Sequence, residues 1–146
     1  EAHHKHSYRM IYKIRNHKDL ITRYDSLFLD DDPDIIVVAF GTPSRTVKTA
    51  VKKAREKGQK IGMIRPVSLW PFPDEAFQKK AIYLSVELDY DGQMVREVQR
   101  AAAAGSDIHF FGKCGELPTV AELHDTFDKL LNGEPITRIG WEREAW

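Results

Sequence analysis

A chain of 146 residues with 42% apolar content has material for one sizeable hydrophobic core, and one α/β domain is the expectation. Its 22 Lys and Arg balance 22 Asp and Glu, so no strong field draws it to nucleic acid or to an anionic membrane surface, and neither is an expected partner. The only cysteine, Cys114, excludes an internal disulfide framework and cannot alone hold a zinc ion or an iron-sulfur cluster. No apolar run approaches the roughly 20 residues of a spanning helix, and the charged, His-containing start is unlike a signal peptide; the expected location is the cytoplasm. The first residue is Glu rather than Met, which fits a domain excised from a longer protein.

The polar lead, residues 1–6, carries His3, His4 and His6. With no cysteine or clustered carboxylate to complete a coordination sphere, a flexible terminus is favoured over a metal site. From Tyr8 to Phe28, Met10, Ile14, Ile21, Tyr24 and Phe28 recur with helical periodicity, so residues 1–30 read as an amino-terminal helical connector and 31–146 as the α/β domain. Pro33 and the aspartates at 30, 31, 32 and 34 break the helix. Consecutive side chains point in different directions and lack the spaced oxygen pattern of a calcium loop, so a solvated connector is favoured there.

Residues 35–40, IIVVAF, form an apolar run of the kind a strand buried on both faces of a parallel sheet requires. Gly41 ends it, and Val47, Ala50, Val51 and Ala54 then mark one apolar stripe of a helix that closes at Gly58. A second strand over 61–65 completes a β-α-β unit. Two prolines among the aromatics of Ser68-Leu69-Trp70-Pro71-Phe72-Pro73 make a rigid loop, and residues 74–79 suit a short helix. A third strand covers 81–87, a turn at 89–92 leads into a helix striped with Val95, Val98 and Ala102 and closed by Gly105, and a fourth strand covers 108–111. Pro118-Thr119 opens a last helix burying Val120, Leu123, Phe127, Leu130 and Leu131, and the tail carries Trp141 and Trp146. Together these predict a three-layer α/β/α sandwich around a mostly parallel sheet.

Open sheets of this type bind ligands at the carboxyl ends of their strands, where three loops fall: 41–45, 65–73 and 87–93. In the first, Gly41, Thr42, Ser44 and Arg45 form a candidate anion cradle, although capping of the helix by Thr42 or Ser44 is the weightier reading. It is neither a dinucleotide fingerprint nor a P-loop. Glu87, at a strand's end, could exchange protons if burial raised its pKa, but no His or second carboxylate is spaced to complete a mechanism. His109 reads as a satisfied core histidine, His124 as a polar or boundary residue, and Cys114 as incidental. No catalytic residue and no metal site is assigned.

The strand at 34–41, the helix ending at Gly58, Gly62-Met63-Ile64-Arg65-Pro66 running on to Leu69-Trp70-Pro71-Phe72-Pro73, and Val86-Glu87 followed by Gly92-Gln93-Met94 together resemble the carboxyl-terminal domain of the α subunit of 2-oxoacid:ferredoxin oxidoreductases, which is similar to the carboxyl-terminal domain of transketolase. The resemblance spans most of 30–131 and touches residues 9–14. It rests on the combination and order of the motifs; Asp89, where many relatives carry asparagine, and Cys114, in a loop often rich in glycine, depart from the pattern. What it implies is oxidative decarboxylation of a 2-oxoacid in a complex that uses thiamine diphosphate, magnesium, iron-sulfur clusters and coenzyme A and delivers electrons to ferredoxin. By the same resemblance this chain binds none of these cofactors. It is a non-catalytic part that supports assembly with the remainder of the α subunit and the thiamine-binding β subunit and shapes access to the site. Glu87, Gly92 and Gln93 are then expected on a subunit-facing or site-facing loop, Trp70 and Phe72 at a packing corner beside it and Arg65 nearby, and a fifth strand, of unplaced position, is expected in the sheet. Two other readings stay open: a stand-alone anion- or nucleotide-binding regulatory module, and the carboxyl-terminal domain of another transketolase-like enzyme.

Overall fold

The computed structural model describes residues 2–136; Trp141 and Trp146 lie outside them. In chain order it contains α1 (Ala2–Arg15), α2 (Lys18–Ile21), β1 (Tyr24–Leu27), β2 (Ile35–Val38), α3 (Pro43–Glu56), β3 (Ile61–Pro66), a 3-10 turn (Asp74–Phe77), β4 (Ile82–Glu87), α4 (Met94–Ala101), β5 (Asp107–Gly112) and α5 (Val120–Leu131). The sheet order is β1-β3-β2-β4-β5, parallel throughout except that β1 runs antiparallel to β3.

Each residue of β2 is at most 1% exposed, because strands pair with both of its edges and helices cover both of its faces. Successive side chains of a strand point to opposite faces, so Ile35 and Val37 pack with Val47, Ala50 and Val51 of α3 and with Leu123 and Phe127 of α5. Ile36 and Val38 face the other layer, where Phe77, Tyr83, Met94 and Val98 gather. The three expected layers are therefore present. Phe77 stacks on Phe72, with ring centroids 5.1 Å apart, so the 3-10 turn contributes a core anchor although it is shorter than the helix expected over 74–79.

The amino-terminal segment differs from expectation. His3, His4 and His6 of the polar lead are part of α1, and the helix stops at Arg15 instead of running to Phe28. Tyr24–Leu27 is the fifth strand, in register with β3 from Tyr24 opposite Pro66 to Leu27 opposite Met63. Helical spacing of Tyr24 and Phe28 gave way to tertiary pairing: the edge of β3 offers unpaired backbone groups that an antiparallel strand satisfies. This strand lies on the amino-terminal side of the domain boundary expected at residue 30. Phe28 then takes a positive φ of 54° and the chain crosses β3 so closely that a Cβ on Gly62 would stand 2.9 Å from the Phe28 carbonyl oxygen. At the other end of the sheet, α4 finishes at Ala101, earlier than Gly105, because Ala102 is already extended.

Helix α5 begins with a reciprocal cap. The Glu122 amide donates to Thr119 Oγ1 over 3.2 Å and the Thr119 amide donates to Glu122 Oε2 over 2.7 Å, satisfying two donors a helix start leaves free. The Thr119 amide and the Lys113 ammonium hold the Glu122 carboxyl down to about 2. Since this folded value lies below that of the unfolded chain, its stabilisation is present above the ordinary carboxylate range and is lost as pH falls toward about 2. Glu122→Gln is accordingly expected to lower stability at pH 7 by about 1 kcal/mol, with the two chains converging near the acid end of that window; denaturant titrations at the two pH values check this, and an equal loss at both would refute it.

Candidate functional site

The chain leaves β2 for α3 on one face of the sheet and leaves β4 for α4 on the other, so the strand order reverses between two neighbouring strands. At such a switch point the following loops diverge and leave a crevice. The loops after β2, β3 and β4 are the three singled out from the sequence.

In the loop after β4, the Glu87 side chain turns into the protein and is 1% exposed. Its Oε2 accepts from the amides of Gln93 (2.9 Å) and Met94 (2.7 Å), and its Oε1 accepts from the Val95 amide (2.8 Å) and the Ser85 hydroxyl (2.8 Å). Four donors thus meet one carboxylate, three of them from the first turn of α4, whose free amides and dipole favour a negative charge. Burial pushes the carboxyl up from its usual range, against the pull of these hydrogen bonds. Among the described residues Glu87 is the one buried carboxylate, and its side chain is a helix cap. Ser85 lies two residues earlier on the strand and therefore on the same face; that alternation was the signal by which the sequence could have revealed it.

Gly92 takes φ 69°, and a Cβ there would stand 2.7 Å from Val95 Cγ1 and 2.9 Å from the Phe110 ring, so both backbone and space require glycine. Asp89 Oδ1 accepts from the Gly92 amide over 2.6 Å, a role asparagine fills equally well. Gln93 supplies its amide to Glu87 while its side chain is exposed. The outer surface of this loop consists of Leu88, Tyr90, Asp91 and Gln93.

In the loop after β3, Trp70 is 60% exposed and precedes a cis peptide to Pro71, whereas Phe72 is buried against Phe77. Trp70 and Phe72 thus share a corner but face opposite ways. Arg65 Nη1 donates to Asp25 Oδ2 over 3.0 Å, tying β3 to the antiparallel edge strand.

The loop after β2 behaves differently from a capped helix start. Thr42 has already entered helical dihedrals and makes no side-chain cap bond, and the Ser44 hydroxyl donates back to the Gly41 carbonyl over 2.5 Å. No acidic residue occupies the first turn of α3. Beside it lies an open cleft of about 750 Å³ lined by Asp25, Thr42, Arg45, Lys48 and Arg65, among others. Lys48 was not singled out from the sequence, although a residue three beyond Arg45 shares its helical face. Elsewhere, Cys114 is exposed, half-buried His109 Nε2 lies 2.8 Å from Asp107 Oδ2, and His124 Nε2 lies 3.0 Å from the Ala50 carbonyl oxygen. Among the described residues no three His, Cys, Asp or Glu side chains converge to hold a metal ion, and no helix is long and apolar enough to cross a membrane.

Residues 33–123 match the family described as pyruvate:ferredoxin oxidoreductase core domain II. The chain belongs to this family. Over 136 residues it is 39% identical to the 2-oxoglutarate synthase subunit KorA of Methanothermobacter marburgensis, covering 90% of this chain and 34% of the relative. Over 112 residues it is 36% identical to the ketoisovalerate oxidoreductase subunit VorB of Methanothermobacter thermautotrophicus, covering 74% of this chain and 30% of the relative. The chain spans about a third of the length of these relatives. Among solved structures, the fold is similar to 2-oxoglutarate:ferredoxin oxidoreductase from Magnetococcus marinus, with a TM-score of 0.71 at 20% identity over 88% of this chain and 23% of that one. It is also similar to transketolase from Pichia stipitis, with a TM-score of 0.52 at 16% identity over 84% of this chain and 20% of that one. The family and fold implied by the motif order in the sequence are those found.

Removal of the capping carboxylate tests the geometry of the loop after β4. Glu87→Ala leaves three amides and a hydroxyl without their acceptor, and we expect a loss of roughly 3 kcal/mol or more in chemical denaturation. Amide exchange at Gln93, Met94 and Val95 should accelerate more than at Ile35–Val38; uniform acceleration, or none, would contradict the cap.

Proposed function

We propose that this chain is a non-catalytic domain of the α subunit of a cytoplasmic 2-oxoacid:ferredoxin oxidoreductase, serving subunit assembly and the shape of the active-site approach. The family match over 33–123 carries this reading. In the whole complex the reaction is oxidative decarboxylation of a 2-oxoacid to an acyl-CoA with ferredoxin as electron acceptor. Thiamine diphosphate with magnesium, the iron-sulfur clusters and coenzyme A are held by other parts of the complex, and the partners of this chain are the remainder of the α subunit and the thiamine-binding β subunit.

The site geometry supports a scaffold role. A general acid or base must present a proton or lone pair to substrate, and both oxygens of Glu87 are engaged by donors of the chain's own fold. The surface around the switch point carries Val67, Leu69, Trp70, Leu88 and Tyr90, each at least 38% exposed, and aromatic residues beside polar ones are characteristic of protein interfaces. The buried cap sets the backbone of 87–95, and that backbone presents Gln93 and Tyr90 outward.

Two measurements test the reading. The purified chain is expected to oxidise no 2-oxoacid with an artificial electron acceptor, and turnover by the chain alone would overturn the assignment. Gln93→Ala removes an exposed amide, so the melting of the chain should change by at most about 1.5 kcal/mol, while in an enzyme reassembled with its β subunit a partner left unpaired weakens affinity or turnover about five-fold or more. Collapse of the chain, or an unaltered complex, would show the loop to be structural only.

A further inference from the structure

We propose that α1 is the element that docks on the β subunit, seated there in an acidic groove about one helix long. This rests on the assembly reading and deepens it by naming the element and the chemistry of the contact. None of the residues of α1 is buried, and none belongs to either half of the core. Tyr8, Ile11 and Tyr12, three and four apart, form an exposed stripe at 54%, 42% and 37%, and the rings of Tyr8 and Tyr12 stack with centroids 4.0 Å apart. Lys5, Arg9 and Lys13, each four residues from the next, run along the flank of that stripe. No acidic residue occurs in α1, and Arg9 and Lys13 form no ion pair among the described residues.

Its own chain supports this helix poorly. A helix of 14 residues is marginal in water without packing, like charges four apart repel, and no acid in the first turn offsets the dipole. A groove with carboxylates beside an apolar floor removes all three deficits, covering the tyrosines and Ile11 and neutralising Arg9 and Lys13. Charge also narrows the kind of partner. The helix carries Lys5, Arg9, Lys13 and Arg15 in a chain of zero formal charge, so the remainder has a net charge of −4. An extended polyanion, an anionic bilayer or a nucleic acid, reaches past α1 and meets that negative remainder, whereas a groove of about 21 Å meets the helix alone. Complementary charge speeds encounter and selects among separate chains, which a covalently joined segment does not need because its effective concentration is already high. That favours the β subunit over the remainder of the α subunit. The end of α1 lies at the corner after β3, where Arg15 lines a groove with Trp70 and Phe72, so the contact continues onto the apolar surface around the switch point.

The test titrates the chain with the purified β subunit at low and high ionic strength. Saturable binding that weakens with added salt is expected. Arg9→Glu combined with Lys13→Glu should weaken it about ten-fold or more and flatten its salt dependence, and Tyr8→Ala combined with Ile11→Ala should weaken it about ten-fold with the salt dependence kept. Neither pair should change the melting temperature, since α1 buries no side chain. Lys52→Glu combined with Lys53→Glu, the same charge change on the exposed side of α3, should leave the affinity within about two-fold. A β subunit that binds the parent chain but weakens equally with the α1 and α3 charge variants overturns the inference and leaves the assembly reading standing, whereas a β subunit that does not bind the parent chain overturns both. A lower melting temperature of the α1 variants assigns the helix to the core and overturns the inference. Self-association of the chain, or binding to vesicles of phosphatidylcholine and phosphatidylserine, that is lost in the Arg9 and Lys13 variant while β-subunit binding persists gives the helix to a second copy or to a membrane and overturns it as well.

Discussion

The burial of β2 on both faces and both edges is the constraint on which this fold depends. A strand of Ile35-Ile36-Val37-Val38 has no side for solvent, so its backbone groups must be satisfied by β3 and β4 and its side chains by two separate helical layers. Supplying a layer to each face sends α3 one way and α4 the other. The reversal of strand order between β2 and β4, and hence the place where the loops part, follows from covering one apolar strand.

Glu87 links that framework to the loop surface. An ionised carboxylate buried without partners would be strongly destabilising, and here four donors compensate it, three of them amides that the start of α4 would otherwise leave unsatisfied. One side chain therefore joins the end of β4 to the first turn of α4. With Gly92 held against Val95 and Phe110, the loop becomes a rigid platform whose outward groups are Leu88, Tyr90, Asp91 and Gln93. A carboxylate at a strand end in this fold invites an acid-base reading, and its hydrogen bonds give it a positional one.

The start of α3 shows the opposite economy of charge. Its amino end is neither side-chain capped nor followed by an acid, and the neighbouring cations stand against the preference of the helix dipole. Membership of the domain II family accounts for the sheet.

The sequence by itself determined the parallel core: the run at 35–40, the stripe from Val47 to Ala54 and the helix start at Pro118-Thr119 are local patterns whose meaning does not depend on distant residues. The order of motifs likewise carried the family. Tertiary structure alone decided that Tyr24–Leu27 is a strand, since its helical spacing was overruled by the free edge of β3, 40 residues away along the chain at the Arg65 pair. It alone turned Glu87 inward, because the three amides that hold it lie six to eight residues further on and reach it only once α4 has formed. It alone brought Arg65 beside Arg45 and Lys48, because separate strands and helices converge at the carboxyl edge of a sheet by three-dimensional closure, which no spacing along the chain encodes.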